Sequence, residues 1–227
     1  MTGRSQAAVA ARMPGAAGLG LVAPAAAAVV PGTALADAEW TAMRLRAAPD
    51  ARVAATVWWY SLSLVLVTPP LAGLLVGSPL SARLTDLSVA FTAGRPVAAV
   101  SCSSGGDLGA DLRESLSAVI ASVAEAGRMR ERPLWAIATD SVANQLLALG
   151  RAVGDVPRAT ALAGEVGAAV GPPLPVPRYV DVAGARFTRR ASCCLMVELP
   201  GGALCTSCPR RPPSERRRLL EVTARGM

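Results

Sequence analysis

The sequence predicts an α+β fold: a mostly helical domain with short β-hairpins and a cysteine-rich segment near the C-terminus. Three observations lead to this prediction. Apolar residues recur at helical spacing over several long stretches. Two pairs of short β-prone runs flank turns that contain glycine. Four of the five cysteines lie within sixteen residues, between Cys193 and Cys208.

The helices are predicted from capping residues as well as from apolar periodicity. Asp37 begins a short helix, and Asp107 begins the clearest helix of the chain. Pro133 begins another helix that stops at Gly150. Four more helices are predicted, at 53–66, from Pro70 onward, over 157–171, and from about 213 to 225.

Two hairpins and three regions complete the predicted organisation. The β-prone runs 87–92 and 97–102 form one hairpin, and 178–190 reads as a pair of short strands. Residues 1–34 are predicted to be a flexible Ala/Gly/Pro-rich tail. Residues 35–185 are the helix-rich α+β domain, and residues 186–227 are the cysteine segment with a basic helix.

Two apolar stretches imitate membrane or export signals. The N-terminal stretch ends in Ala-Leu-Ala before Asp37, like a cleavage site, but three prolines interrupt it and favour a tail. Residues 53–80 have about the length of a membrane span. Pro69 and Pro70 are expected to divide that stretch into two helices too short to span, which favours a buried core.

Positive charge is concentrated near the cysteines. The chain has a net charge of +7 and contains no lysine. Residues 186–227 hold nine arginines and three acids. An electropositive surface beside thiols lowers their pKa and attracts anionic partners. The candidates for binding such a partner or for tuning a redox potential are Arg186, Arg189, Arg190, Arg210 and Arg211.

The absence of histidine narrows the chemistry. Without histidine the chain cannot build a Ser–His or Cys–His nucleophile. Cys102 stands alone after a predicted strand and is expected to be a buried small hydrophobe. The other four cysteines follow the pattern C-C-x10-C-x2-C, from Cys193 and Cys194 to Cys205 and Cys208.

Three arrangements of these four cysteines remain open from the spacing. A disulfide between Cys193 and Cys194 would be strained, because consecutive Cα atoms lie about 3.8 Å apart. A structural zinc site suits four thiolates, but adjacent side chains point to opposite faces of an extended backbone. A [2Fe-2S] cluster spreads four thiolates over two irons. Its folding would need a strand over 195–199 and a turn at 199–202.

The motif around the cysteines resembles the C-terminal signature of the FhuF-type ferric-siderophore reductases. The matching pattern is Arg-x-Ser-Cys-Cys-Leu, then Pro-Gly-Gly, then Cys-x2-Cys-Pro. It comprises Arg190, Ser192, Cys193, Cys194, Leu195, Pro200, Gly201, Gly202, Cys205, Cys208 and Pro209. The resemblance covers about twenty residues. Family members often have an aromatic residue shortly after the cysteine pair, where this chain has Met196 and Val197.

The resemblance implies a [2Fe-2S] protein that reduces siderophore-bound Fe(III) to Fe(II). The implied ligands are Cys193, Cys194, Cys205 and Cys208. The implied partners are a ferric siderophore and an electron donor such as a ferredoxin, a flavodoxin or an NAD(P)H-dependent reductase. The implied location is the cytoplasm, at the inner face of the membrane if the protein associates with it peripherally. Nucleic acid is not an expected partner.

Two other functions use the same residues. A zinc-stabilised, arginine-rich module would bind nucleic acid or an acidic protein, which accounts for the charge but not for the adjacent cysteines. An iron or redox sensor would keep the cluster and pass no electrons to a chelate. Colour, zinc content and oxidation by ferric chelates separate the three.

Overall fold

A computed structural model describes residues 3–226 and confirms the α+β prediction. Within that range the chain forms seven α-helices and two antiparallel sheets. The helices are α1 (Arg4–Ala11), α2 (Ala38–Leu45), α3 (Ala51–Leu75), α4 (Leu108–Ala126), α5 (Arg132–Val153), α6 (Val156–Val170) and α7 (Pro213–Arg225). The strands are β1 (Ala28–Pro31), β2 (Leu87–Thr92), β3 (Arg95–Ser101), β4 (Tyr179–Val182) and β5 (Ala185–Thr188).

The core lies between α3, α4, α5, α6 and the three-stranded sheet. Helix α3 packs along α5 on one side and on β3 on the other. Its Trp59 is fully buried, and Nε1 of that side chain donates to the carbonyl oxygen of Leu134 at 2.8 Å. Ser63 and Ser141 share a buried hydrogen bond of 2.7 Å across the same helix pair. These contacts fix α3 against α5, the two helices that carry residues of the candidate site.

The helix starts at Asp37 and Asp107 and both predicted hairpins are confirmed, whereas α5 continues past the predicted stop at Gly150 to Val153. The Asp37 carboxylate accepts from the backbone N–H groups of Glu39 and Trp40, and Asp107 accepts from Ala110 N–H. Strands β2 and β3 pair antiparallel, and β1 adds to the free edge of β2. Strands β4 and β5 form a separate hairpin. The end of β5 leads directly into the cysteine segment.

Helix α3 is continuous where two helices were predicted. Pro69 and Pro70 lie inside it, although neither can donate a helical hydrogen bond. Both prolines are buried, so packing of this turn against the core offsets the lost bonds. Gln145 of α5 also donates to the carbonyl oxygen of Leu64 at 3.1 Å, which adds a tertiary bond near the prolines. The prediction of a break at Pro69 was therefore wrong.

Helix α3 is also the single helix within residues 3–226 that is long and apolar enough to cross a membrane. About two thirds of its most apolar stretch, 67%, is buried inside the protein. A core helix of a globular protein has the same length and composition. The apolar character of α3 is therefore accounted for by its central position in the core.

Residues 3–34 differ from the predicted flexible tail; Met1 and Thr2 of that tail lie outside the described residues. Helix α1 and strand β1 pack on the core. The fully buried Gln6 donates to the carbonyl oxygens of Leu21 and Ala99, each at 2.8 Å. Its Oε1 accepts from Ser101 N–H at 2.6 Å. These long-range bonds order the segment, and the small Ala and Gly side chains allow its close packing.

Candidate metal centre

The four C-terminal cysteines line one cavity of ≈ 340 Å³. All of them are free thiols, so the disulfide arrangement is absent. Cys194 and Cys208 are buried, Cys193 is half-buried, and Cys205 is exposed. The cavity therefore reaches from the protein interior to solvent on the Cys205 side. Tyr60 of α3 and Arg190 also line it.

The segment between the two cysteine pairs is a compact loop. Leu195 has a left-handed backbone with φ 59°, and a short 3₁₀ helix follows at Met196–Glu198. The chain then turns so that Gly202 N–H donates to the carbonyl oxygen of Leu199 at 2.8 Å. The predicted strand over 195–199 is therefore wrong, whereas the predicted turn at 199–202 is confirmed. The left-handed residue redirects the chain immediately after the cysteine pair.

Gly202 is required by close packing within this loop. A Cβ atom at this position would lie 2.1 Å from the carbonyl oxygen of Met196 and 2.9 Å from that of Leu199. Both obstacles are backbone atoms, which cannot rotate away as a side chain does. The glycine thus allows the loop to close and brings Cys205 back toward the first cysteine pair.

The cysteine pair is held by Asp140 of α5. One carboxylate oxygen accepts from Ala191 N–H at 2.7 Å. The other accepts from Ser192 N–H at 3.2 Å and from Ser192 Oγ at 3.0 Å. The Asp140 side chain is 1% exposed. A buried carboxylate on a core helix therefore fixes the backbone immediately before Cys193.

Arg190 joins this carboxylate to the thiols. Its Nε donates to Asp140 at 3.3 Å, and its side chain is 4% exposed. Its Nη1 lies 3.4 Å from the Sγ of Cys205 and 3.8 Å from the Sγ of Cys194. Its guanidinium carbon lies 5.1 Å from the centre of the Tyr60 ring. Its Nη2 is buried and has no hydrogen-bond partner within the described chain.

The charges of these groups follow from their surroundings. Burial raises the pKa of Asp140 above its usual range, and the N–H and O–H donors and Arg190 around it offset only part of this rise. Burial opposes the charge of Arg190, but Asp140 and Cys194 beside it favour the charged form, and the pKa of Arg190 is raised. Burial raises the pKa of Tyr60 and keeps the phenol neutral. The site thus holds a buried ion pair beside the thiols, with the guanidinium of Arg190 on the side of the sulfurs.

The other predicted arginines occupy different places. Arg210 is paired with Glu198 at 2.6 Å, and Arg52 of α3 binds the same carboxylate at 3.1 Å. Arg211 donates to the carbonyl oxygen of Cys205 at 3.0 Å and pairs with Glu215. It therefore stabilises the backbone of the cysteine loop. These bonds tie the loop to α3 and α7.

Arg186 and Arg189 are not brought to the thiols. Arg186 pairs with Asp181 of β4 at 2.8 Å and donates to Thr160 of α6. Arg189 lines a separate cavity beside α7. The prediction that Arg186 and Arg189 lie near the thiols, made from their proximity in sequence, was therefore wrong. Arg186 lies in β5, and its side chain contacts Asp181 and Thr160 instead of the cysteine loop.

Sequence reasoning missed Asp140 and Tyr60. Asp140 carried a usable signal, since it is a single acid on a helix face that otherwise presents Ile137, Ala143 and Leu147. No sequence signal distinguished Tyr60 from an aromatic residue of the core. Cys102, expected to be buried, is exposed in a cavity beside Gly3 and Val29. The strand that precedes it ends at Ser101, so its side chain leaves the sheet.

The residues fit a two-iron cluster better than one zinc ion. The Sγ atoms of Cys193 and Cys208 lie 3.9 Å apart. Two sulfurs on one tetrahedral metal with bonds of about 2.3 Å are about 3.8 Å apart. Within residues 3–226 no three metal-ligating side chains converge on a common point. The N–H groups of Arg190 lie beside the sulfurs, where they can donate hydrogen bonds to the sulfurs of a cluster.

Comparison with known proteins agrees with this geometry. Residues 190–210 match the family model of the FhuF 2Fe-2S C-terminal domain. No curated protein matches the chain, and neither does any solved structure. The matched segment runs from Arg190 to Arg210 and includes all four cysteines of the cavity. Residues 190–210 are therefore similar to the FhuF 2Fe-2S C-terminal domain, and this match supports a [2Fe-2S] cluster as the cofactor of the site.

Proposed function

We propose that the chain is an iron–sulfur electron-transfer protein that reduces siderophore-bound Fe(III) and so releases the iron as Fe(II). The observation that carries this proposal is the arrangement of four free thiols around one cavity, within the segment that matches the FhuF family model. In this proposal Cys193, Cys194, Cys205 and Cys208 are the ligands. The cluster, when bound, supplies one electron at a time.

The exposure of the site suits transfer to a bulky chelate. Cys205 is exposed, and the neighbouring Met196 is 43% exposed. Electrons cross short gaps without direct bonding, so a chelate needs only to approach this side of the loop. Arg190 and Arg210 supply positive charge there, which attracts an anionic chelate or an acidic electron donor. Arg210 is 43% exposed and remains accessible despite its pairing with Glu198.

Reduction alone is enough to release the metal. Siderophores hold Fe(III) through hard oxygen ligands, and those oxygens bind the less charged Fe(II) more weakly. The protein must therefore provide an electron and a docking surface, but no acid or base. The absence of histidine from the sequence is compatible with this demand. The electron donor in this proposal is a ferredoxin, a flavodoxin or an NAD(P)H-dependent reductase, and the reaction takes place in the cytoplasm.

An anaerobic titration tests the proposal. Protein purified without oxygen is reduced with dithionite and mixed with a panel of ferric chelates, and the visible absorption is followed. We expect rapid reoxidation by ferric siderophores and capture of Fe(II) by a ferrous chelator. A colourless protein with one zinc per chain would contradict the proposal. A coloured protein that no ferric chelate oxidises would favour a redox sensor.

A further inference from the structure

The four thiols of the cavity fall into two pairs that do not follow the sequence. Cys193 and Cys208 face each other, with 3.9 Å between their Sγ atoms. Cys194 and Cys205 share a different neighbour, since Nη1 of Arg190 lies within 3.8 Å of both sulfurs. Each pair takes one thiol from the adjacent cysteines and one from the C-x2-C motif. The two adjacent cysteines therefore belong to different pairs, although both line the same cavity.

Arg190 touches only the second pair. Within residues 3–226 its guanidinium has no hydrogen bond to Cys193 or Cys208, and its Nη2 has no partner at all. A buried N–H without an acceptor is destabilising, because it has lost its hydrogen bonds to water, and the cost is greater for a charged group. A sulfur of the bound cluster is the acceptor that would satisfy it.

The position of Arg190 is set independently of the cluster. Asp140 accepts from its Nε, and Tyr60 packs against its face. The same carboxylate accepts from Ala191 and Ser192, so one buried side chain contacts both the guanidinium and the backbone before Cys193. Arg190 is therefore pre-organised beside the two thiols by contacts that do not involve the cluster.

We propose that Arg190 is a hydrogen-bond donor to one half of the cluster. In this assignment Cys194 and Cys205 hold the iron on the Arg190 side, and Cys193 and Cys208 hold the other iron. Hydrogen bonds to cluster sulfurs stabilise the reduced form, which carries one more negative charge, and raise the reduction potential. Asp140 acts through Arg190 and is a positioning residue. The proposal rests on the cysteine ligands and not on the identity of the electron acceptor.

Reduction potentials measured with dithionite test the proposal without any ferric chelate. We expect Arg190→Gln to lower the equilibrium constant for reduction about tenfold, which is about 59 mV for one electron. Arg189→Gln is the matched control, because Arg189 is adjacent in sequence but lines a different cavity. Its potential should equal that of the wild type. Equal potentials for Arg190→Gln and wild type would overturn the proposal.

A double-mutant cycle tests the pairing of the ligands. Arg190→Gln is combined separately with Cys205→Ser and with Cys193→Ser, which replace the two more exposed cysteines, one from each proposed pair. Residues in contact give non-additive effects, and independent residues give additive ones. We expect the change in reduction potential caused by Arg190→Gln to differ in the Cys205→Ser background and to stay the same in the Cys193→Ser background. Equal shifts in both backgrounds would overturn the pairing.

A conservative variant separates hydrogen bonding from charge and guards against loss of folding. Arg190→Lys keeps a positive partner for Asp140 but cannot present the same fork of N–H groups. We expect its potential to lie between those of Arg190→Gln and the wild type. A wild-type potential in Arg190→Lys would assign the effect to charge alone and would contradict the hydrogen-bond role.

Discussion

Asp140 and Ser192 are joined by two hydrogen bonds, one from the backbone N–H at 3.2 Å and one from Oγ at 3.0 Å. They lie fifty-two positions apart in the chain. This relationship places the start of the cysteine motif on the face of α5. The geometry of the thiols therefore depends on the core of the helical domain. Substitution of Asp140 is expected to weaken binding of the cluster.

Asp140→Asn is expected to destabilise the protein by about 3 kcal/mol, because it leaves the charge of Arg190 buried without a counter-ion. An amide also replaces one of the two oxygens that accept from Arg190, Ala191 and Ser192. Chemical denaturation measures the free energy of unfolding, and iron analysis measures cluster retention. Glu221→Gln is the control, because its pair with Arg217 is solvent-exposed and is worth less than about 0.5 kcal/mol. Equal losses in the two variants would contradict the role given to Asp140.

The cluster loop should not tolerate a side chain at residue 202. Gly202→Ala places a methyl group against two backbone carbonyls, which costs roughly 1–3 kcal/mol and displaces Cys205. We expect reduced iron content and a faster loss of visible absorption in air. Gly164→Ala makes the same chemical change in α6, where nothing lies within 4 Å, and should stabilise by about 0.5–1 kcal/mol. Normal iron content in Gly202→Ala would show that the loop closes differently.

Alkylation of the thiols should depend on the cluster. With the cluster bound, we expect iodoacetamide to modify only Cys102, which is exposed and lines a different cavity. After the iron is removed with a chelator, Cys205 should react first, since it is the exposed thiol of the four. Mass spectrometry of peptides reports both. Modification of Cys205 in the iron-loaded protein would contradict its assignment as a ligand, and Cys102→Ser should leave the visible spectrum unchanged.

The N-terminal segment should behave as part of the core. Gln6→Ala removes three buried hydrogen bonds and is expected to destabilise by at least about 2 kcal/mol. Hydrogen exchange in the wild type should be slow around Val9 and Leu21, which are fully buried. In Gln6→Ala the exchange of these residues should speed up before that of α5. Fast hydrogen exchange of both residues in the wild type would instead support the prediction of a flexible N-terminal tail.

The local elements of this fold could be predicted because their signals are local. Asp37 and Asp107 mark helix starts through bonds to residues two or three positions away. The break expected at Pro69 and the flexibility expected of residues 3–34 were wrong because tertiary contacts decide both. Packing of α3 compensates for the prolines, and Gln6 bonds to residues up to ninety-five positions away.

The site could be predicted in part for the same reason. The spacing of the cysteines and its resemblance to a family motif led to the [2Fe-2S] cofactor. Proximity in sequence did not identify the arginine that reaches the thiols, because Arg189 and Arg190 point to different cavities. The apolar helix face around Asp140 could have marked it as a buried acid, but its partners Arg190, Ala191 and Ser192 depend on how α5 packs against the loop.

The proposed function requires the cluster to pass its electron to a chelated ferric ion, and single-turnover stoichiometry tests this step. Protein reduced without oxygen is freed of excess dithionite and mixed with one equivalent of a ferric siderophore and a ferrous chelator. We predict that one Fe(II) is captured for each cluster that reoxidises, at matching rates. A cluster that stays reduced while the ferric chelate remains intact would contradict the claim.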